Sequence, residues 1–405
     1  MTQTEATAAK WLSDITVEEL ENDTLTVFSR LRQEAPIAFI PSIGSWVVST
    51  WEWCSELSDD ADNFVGGTSP AHERVFGLPH ILGAEGQGHQ LLRANIDPPL
   101  RPRAFASTLE ETVRPIVRAR LDTIRSRGCA ELLAEYFEPI SVRCVGDILG
   151  FTEIPDETLR RWFHALGDGF ANGVALNHDG TFANPGGFET ADQAKVEIRE
   201  VVNGLAAVGK DVKGVVSSWL HHDMPPGETR PLDGLLPSLL ILLSGGLREP
   251  GHLCGNTFLG LSTQPDQLER MKQDLSLIPK AIMEGLRWLS PIFSGTSRLS
   301  NGTVTFDGVT IEPGQTVWLS YGSANRDERE FDRAEVFDLG RPAHPHLAFG
   351  KGRHVCSGAA FGPQVARIAL EELLRELPTV SLDPGKPVKE WGWIFHGPQE
   401  LHATW

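Results

Sequence analysis

The run Phe349-Gly350-Lys351-Gly352-Arg353-His354-Val355-Cys356-Ser357-Gly358 concentrates the residue types best able to do chemistry. It leads straight into Ala359–Leu377, whose apolar spacing predicts a helix. A cysteine set near glycines at the mouth of a helix is suited to the thiolate form. Free backbone N–H groups and the positive end of the helix dipole both favour an anionic sulfur there. Gly352 and Gly358 let the backbone fold closely round that sulfur. Phe349 offers an apolar wall, and Arg353 and His354 offer cationic or donor groups. A large flat metal cofactor with anionic edges matches this set, and haem held through one cysteine is the leading chemistry. The plainer alternative is a buried or merely reactive cysteine.

Other residues of the right type lie far away in the chain. Glu284 and Arg287 are three apart, one helical turn, so they share a face. Alone they would be an ordinary exposed ion pair, and His89 and Arg93, spaced as His-x-x-x-Arg, would be a solvated helix face. Taken in order with Arg298, Arg341 and the cysteine loop, they resemble the cytochrome P450 monooxygenases over nearly the whole chain. That resemblance implies haem b with Cys356 as the iron ligand, cradled by Phe349 and Gly358, and with His89, Arg93, Arg298 and His354 on the propionates. It implies that Glu284, Arg287 and Arg341 form a buried network supporting the haem loop. It also implies O2 as co-substrate and a mainly α fold with small β-sheets, a triangular prism with haem between distal and proximal helices.

The distal helix falls on Ile241-Leu242-Leu243-Ser244-Gly245-Gly246-Leu247-Arg248-Glu249-Pro250-Gly251-His252. Three small residues in a row weaken a helix but leave room for a ligand, and Pro250 favours a kink. Most relatives place an acid and then a threonine after the small residues; here Arg248 and Glu249 stand there. The usual proton-delivery scheme therefore does not carry over. Glu249 with ordered water is the expected proton donor, since a carboxyl in an apolar site has a raised pKa. The competing expectation is a structural pairing of Glu249 with Arg248 or His252.

The 405 residues suit one large domain, with β-rich parts near 37–50 and 303–320. Hairpins are expected at Ile37–Ile40 with Trp46–Thr50 and at Thr303–Phe306 with Val309–Ile311 round Asp307-Gly308, and a strand at Gln315–Ser320. Helical periodicity covers Val113–Ser126, Ala194–Val208 and Pro279–Trp288. A formal charge of -18 argues against nucleic acid. The N-terminus lacks a signal-peptide pattern, and no apolar run is long enough for a membrane span. A cytoplasmic protein is expected. Five scattered cysteines suggest neither a disulfide framework nor a zinc site. Asn172–Phe188 reads as a loop; the resemblance puts this region over the substrate channel, where it is either a mobile lid or an ordinary surface loop.

The combination of Gly245-Gly246, Glu249-Pro250-Gly251-His252, Tyr321-Gly322-Ser323-Ala324-Asn325 and Trp391-Gly392-Trp393-Ile394-Phe395 is similar to bacterial aromatic O-demethylases of guaiacol and alkylguaiacols. This implies that Phe76, Phe170 and Phe395 enclose an aromatic ring, with Leu82, Ile241, Ser244, Gly245, Ile292, Gly295 and Thr296 completing the wall. Small Ser244 and Gly295 favour a para-alkyl substituent. The implied reaction converts a methoxyphenol to a catechol and formaldehyde. Its electrons come from NADH through a separate reductase carrying FAD and a 2Fe-2S cluster. Lys351, Arg353 and Arg367 are either a docking patch for that reductase or ordinary solvated charges. Hydroxylation of another small aromatic, terpene or fatty acid is the alternative, and a non-catalytic haem protein or a peroxide-driven enzyme stands further off.

Overall fold

The computed structural model describes residues 10–177, 180–208, 214–306 and 308–405. The helices that matter for the site are α1 (Pro70–Phe76), α2 (Gly86–Ile96), α3 (Leu109–Ile124), α4 (Glu138–Leu149), α5 (Asp156–Asn172), α6 (Glu189–Val208), α7 (Leu236–Gly246), α8 (Glu249–Ser262), α9 (Ile278–Trp288) and α10 (Gly362–Glu376). The main strands are β1 (Ile37–Ile40), β2 (Ser45–Val48), β3 (Phe64–Gly66), β4 (Thr296–Ser300), β5 (Val304–Phe306), β6 (Val309–Ile311), β7 (Thr316–Leu319), β8 (Glu390–Trp391) and β9 (Gly397–Pro398). The fold is mainly helical with small sheets.

Helix α8 runs through the middle, packed against α9, α10 and α4. It is apolar on all sides, and every residue from Pro250 to Leu261 is buried. Burying a side chain such as Phe258 completely contributes about 1.5–3 kcal/mol. The largest sheet has the order β1-β2-β7-β4-β3, with β2 and β7 parallel and the other pairs antiparallel. Its register sets Gly66 opposite Arg298. A Cβ at Gly66 would lie 2.6 Å from the Leu82 carbonyl, so only glycine lets the 82–85 segment approach β3 so closely.

Several expectations shift by a few residues. The first hairpin forms, but its second strand ends at Val48 because α-helix begins at Trp51. The second hairpin pairs Val304–Phe306 with Val309–Ile311, and Asp307 at its turn lies outside the described residues. The proximal helix begins at Gly362 rather than Ala359, because residues 357–361 are wound into turns that return to the Gly358 carbonyl. The distal helix is two helices, and the break at Leu247 and Arg248 precedes Pro250. Pro250 then sits in the first turn of α8, where its missing N–H costs nothing.

Candidate active site

A cavity opens between the α7–α8 break and the cysteine loop. The cysteine loop on one side and a mainly apolar wall on the other suit a flat macrocycle with a small apolar molecule above it. Cys356, Phe349, Gly350, His354, Gly358, His89 and Arg93 line one side. The Cys356 N–H donates to the Phe349 carbonyl at 2.9 Å, closing the loop round the thiol. Cys356 is exposed only in that it faces this cavity, and protein surrounds it otherwise. Burial pushes its thiol up, against the Gly358 N–H and the charge of Arg93, which pull it down. A bound metal cation reverses that balance outright. Arg93 donates to Asp97 at 2.9 Å and to the Val355 carbonyl at 2.6 Å, and Ser357 donates to Asp97 at 2.8 Å. Thus α2 holds the cysteine loop.

Beside this loop lies an anion-seeking corner. The His89 and His354 rings are 4.5 Å apart, and each presents a buried nitrogen with no partner, Nε2 of His89 and Nδ1 of His354. Burial lowers both pKa values, and the charges of Arg93 and Arg298 respectively add to this. Arg298 is buried and has no carboxylate partner among the described residues. The two orphaned ring nitrogens and the unpaired Arg298 fit the two carboxylates of haem, while Arg93 is held by Asp97. Two nearby residues escaped the sequence reading. Glu85 accepts from the Gly66 N–H, Arg353 and His354. Tyr321 lines the cavity, its hydroxyl 2.8 Å from Ser58. Glu85 belongs to no local motif, and the run that contains Tyr321 does not tell that its ring faces the cavity, so only tertiary proximity shows both.

The opposite wall is apolar. Leu82, Ile241, Gly245, Ile292 and Gly295 line it as expected, joined by Ile81, Leu242 and residues of α4 that look like ordinary core in sequence. Ser244 is buried away from the cavity with its hydroxyl unpartnered, so it adds no room there. Phe76, Phe170 and Phe395 do come together, at centroid separations of 5.6 Å and 6.4 Å, but they stand behind the cavity surface. Thr296 opens β4, and its side chain lies outside the described set.

The break between α7 and α8 is stabilised by the Ser141 hydroxyl, which donates to the Leu247 carbonyl at 2.7 Å. It places Glu249 on the cavity with both carboxyl oxygens buried and unpartnered. Burial raises its pKa to about 7, opposed by the charge of Arg248. Glu249 therefore makes no structural pair with Arg248 or His252; Arg248 donates to His252 instead, at 3.1 Å.

Glu284, Arg287 and Arg341 do form one network. Arg287 donates twice to Glu284, at 3.0 and 2.7 Å, and Arg341 once at 3.1 Å. The proposed docking cations are differently placed: Lys351 pairs with Asp59, Arg353 with Glu85, and Arg367 with Glu110 and Glu371. Their charge is already spent on neighbours. Arg101 and Arg103 are exposed and form no ion pair among the described residues.

A cytochrome P450 family model matches residues 261–392. The chain is 30% identical over 318 residues to Cytochrome P450 107B1 of Saccharopolyspora erythraea, covering 77% of this chain and 73% of that one. It is 26% identical over 405 residues to the monooxygenase PikC of Streptomyces venezuelae, covering 96% and 92%. The solved structure of P450BioI with a fatty-acyl-loaded acyl carrier protein superposes with a TM-score of 0.82 at 24% identity, covering 94% of this chain and 98% of that one. No helix among the described residues is long and apolar enough to cross a membrane. With Cys356 facing a cavity between distal and proximal helices, the chain belongs to the cytochrome P450 family of haem-thiolate monooxygenases.

Proposed function

We propose that this monooxygenase O-demethylates small methoxyphenols, 4-alkylguaiacols foremost. The observation that carries this reading is the convergence of Phe76, Phe170 and Phe395, from three distant segments, behind an otherwise aliphatic cavity wall. From behind, the cluster backs the wall that carries Ile292, through the Phe395–Ile292 bridge, and so shapes the apolar face that a planar ring would meet. Gly245 leaves open volume on the same wall, whereas the space beside Gly295 is taken by Ile292.

Cys356 would hold the iron, and His89, Arg93, Arg298 and His354 the propionates. Bound there, the haem supplies reductive activation of O2, with thiolate donation favouring O–O cleavage. The cavity wall holds the ether methyl, rather than the ring, nearest the reacting centre, which decides which C–H bond is oxidised. Glu249 holds a proton at its carboxyl near neutral pH and delivers it on the distal side. The hydroxylated methyl gives a hemiacetal whose O–CH2 bond breaks to leave a catechol and formaldehyde. The balance is ArOCH3 + O2 + NADH + H+ → ArOH + HCHO + H2O + NAD+.

The electrons come from a separate reductase, for which FAD and a 2Fe-2S cluster are the expected carriers. Arg101 and Arg103, exposed and free of ion pairs among the described residues, suit an acidic partner. Charge reversal at both arginines slows reduction by the partner, and unchanged, salt-independent reduction would exclude the patch. A second reading has a specific source. Related chains are named as a methyl-branched lipid omega-hydroxylase (27% identical) and a C-19 steroid 1alpha-hydroxylase (27% identical). A larger aliphatic substrate is the alternative.

Optical titration of the ferric holoenzyme separates these readings. A complete low-to-high-spin shift with 4-propylguaiacol, and one formaldehyde per NADH in turnover, is expected. A response to a fatty acid or steroid alone overturns the aryl-ether assignment.

A further inference from the structure

Arg248 occupies the break between α7 and α8, one residue before Glu249. Its guanidinium carbon lies 5.2 Å from the centroid of the Phe395 ring, inside the roughly 6 Å range of cation–π attraction. Its Nε–H donates to Nε2 of buried His252. Burial, aided by the charges of Arg248 and His164, holds His252 well below its ordinary pKa, so the ring stays neutral and keeps a lone pair for that bond. No carboxylate completes the cation: both Glu249 oxygens lack partners, and Arg248 joins no ion pair among the described residues. The Phe395 ring face and the His252 nitrogen are the groups that hold the guanidinium in place.

Phe395 has a fixed backbone and a less constrained ring. Its main chain forms a β-bridge with Ile292, a cavity residue, and the neighbouring Ile394 carbonyl accepts the Phe293 N–H at 2.8 Å. The turn behind it is tight. Gly392 has φ +94, and a Cβ there would fall 2.1 Å from the Phe395 carbonyl. The half-buried ring is set by the edge of Phe170 on α5 and by Arg248.

We propose that Arg248 is a positioning residue for substrate, which clamps the Phe395 ring against Phe170 and so keeps the wall carrying Ile292 closed on an aromatic guest. The position where relatives carry an acid thus serves the pocket rather than proton transfer. The inference takes its substrate class from the aryl-ether reading, but the clamp itself does not depend on it.

The test uses haem-loaded wild type, Arg248→Met and Arg248→Lys. Each is titrated with 4-propylguaiacol and with 4-phenylimidazole, which ligates haem iron from the distal side whatever the natural substrate. Haem content and thermal midpoint are measured alongside. Arg248→Met is expected to weaken both ligands about 3- to 30-fold with haem content unchanged, and Arg248→Lys to recover most of the loss. Wild-type affinity in Arg248→Met overturns the clamp. So does equal weakening in both variants, which would assign the effect to packing or to the His252 bond, and so does equal loss of haem from both. A wild type blind to 4-propylguaiacol, with the 4-phenylimidazole pattern intact, sinks the substrate reading and leaves the clamp standing.

Discussion

Replacing Glu284 by alanine tests the link between the buried ion network and the haem loop. Glu284 and Arg287 are 6% and 3% exposed, so solvent screens neither. The carboxylate accepts two bonds from Arg287, one from Arg341 and one from the Asp338 N–H at 2.9 Å. Arg287 also donates to the carbonyls of Asn325, Ala334 and Val336. The Asn325 side chain in turn accepts the Leu347 N–H at 2.7 Å, two residues before Phe349. Removing Glu284 therefore strands a charge that its other bonds still hold in place, at a cost of about 3–5 kcal/mol. Against a total stability of about 5–15 kcal/mol this is a large fraction. Substituting Arg287 as well does not restore the loss, because three carbonyls then lack their donor. Arg341→Ala costs less, about 1–3 kcal/mol, since Arg341 makes one bond to Glu284. Denaturant midpoints and haem per chain measure both. Glu284→Ala within about 0.5 kcal/mol of wild type, with a full complement of haem, would falsify the account.

Three further outcomes follow from the same geometry. Glu249 is protonated below its raised pKa of about 7, so coupling of NADH to formaldehyde declines as pH rises through that value; Glu249→Gln lowers coupling and removes this pH dependence, and an unaltered profile excludes the proton role. Burial lowers His80 from its ordinary 6.5 to about 4. Between those values the unfolded chain takes up a proton that the folded chain refuses, so stability falls as pH drops from 6.5 towards 4. The loss is at most about 3 kcal/mol, and the check is that His80→Gln flattens this part of the stability curve. Glu85→Gln loosens β3, α2 and the haem loop from one another, so haem passes to apomyoglobin several-fold faster; an unchanged transfer rate refutes the tie.

Much of the haem side was legible in sequence because its chemistry is carried by scarce residue types at fixed local spacings. Cysteine between turn-forming glycines, His-x-x-x-Arg on one helix and Glu-x-x-Arg on another each fix relative direction through helix or loop geometry. The substrate side was less legible. Ile81, Leu242 and the α4 residues on the cavity are indistinguishable in sequence from core, since apolar periodicity marks burial and not what lies beyond the side chain. Ser244 looked like a wall residue because it adjoins Gly245, but neighbouring helical residues point about 100° apart, and the helix turns Ser244 away.

The chain by itself determined the family, the thiol that faces the cavity and the histidines and arginines that flank it, because those depend on residue type and short-range spacing. Only the tertiary structure decided that Glu249 stands alone, that Arg248 turns to Phe395 and that the loop cations are already paired. Charge partners are chosen by distance through space between segments hundreds of residues apart, and burial decides how strongly each choice counts.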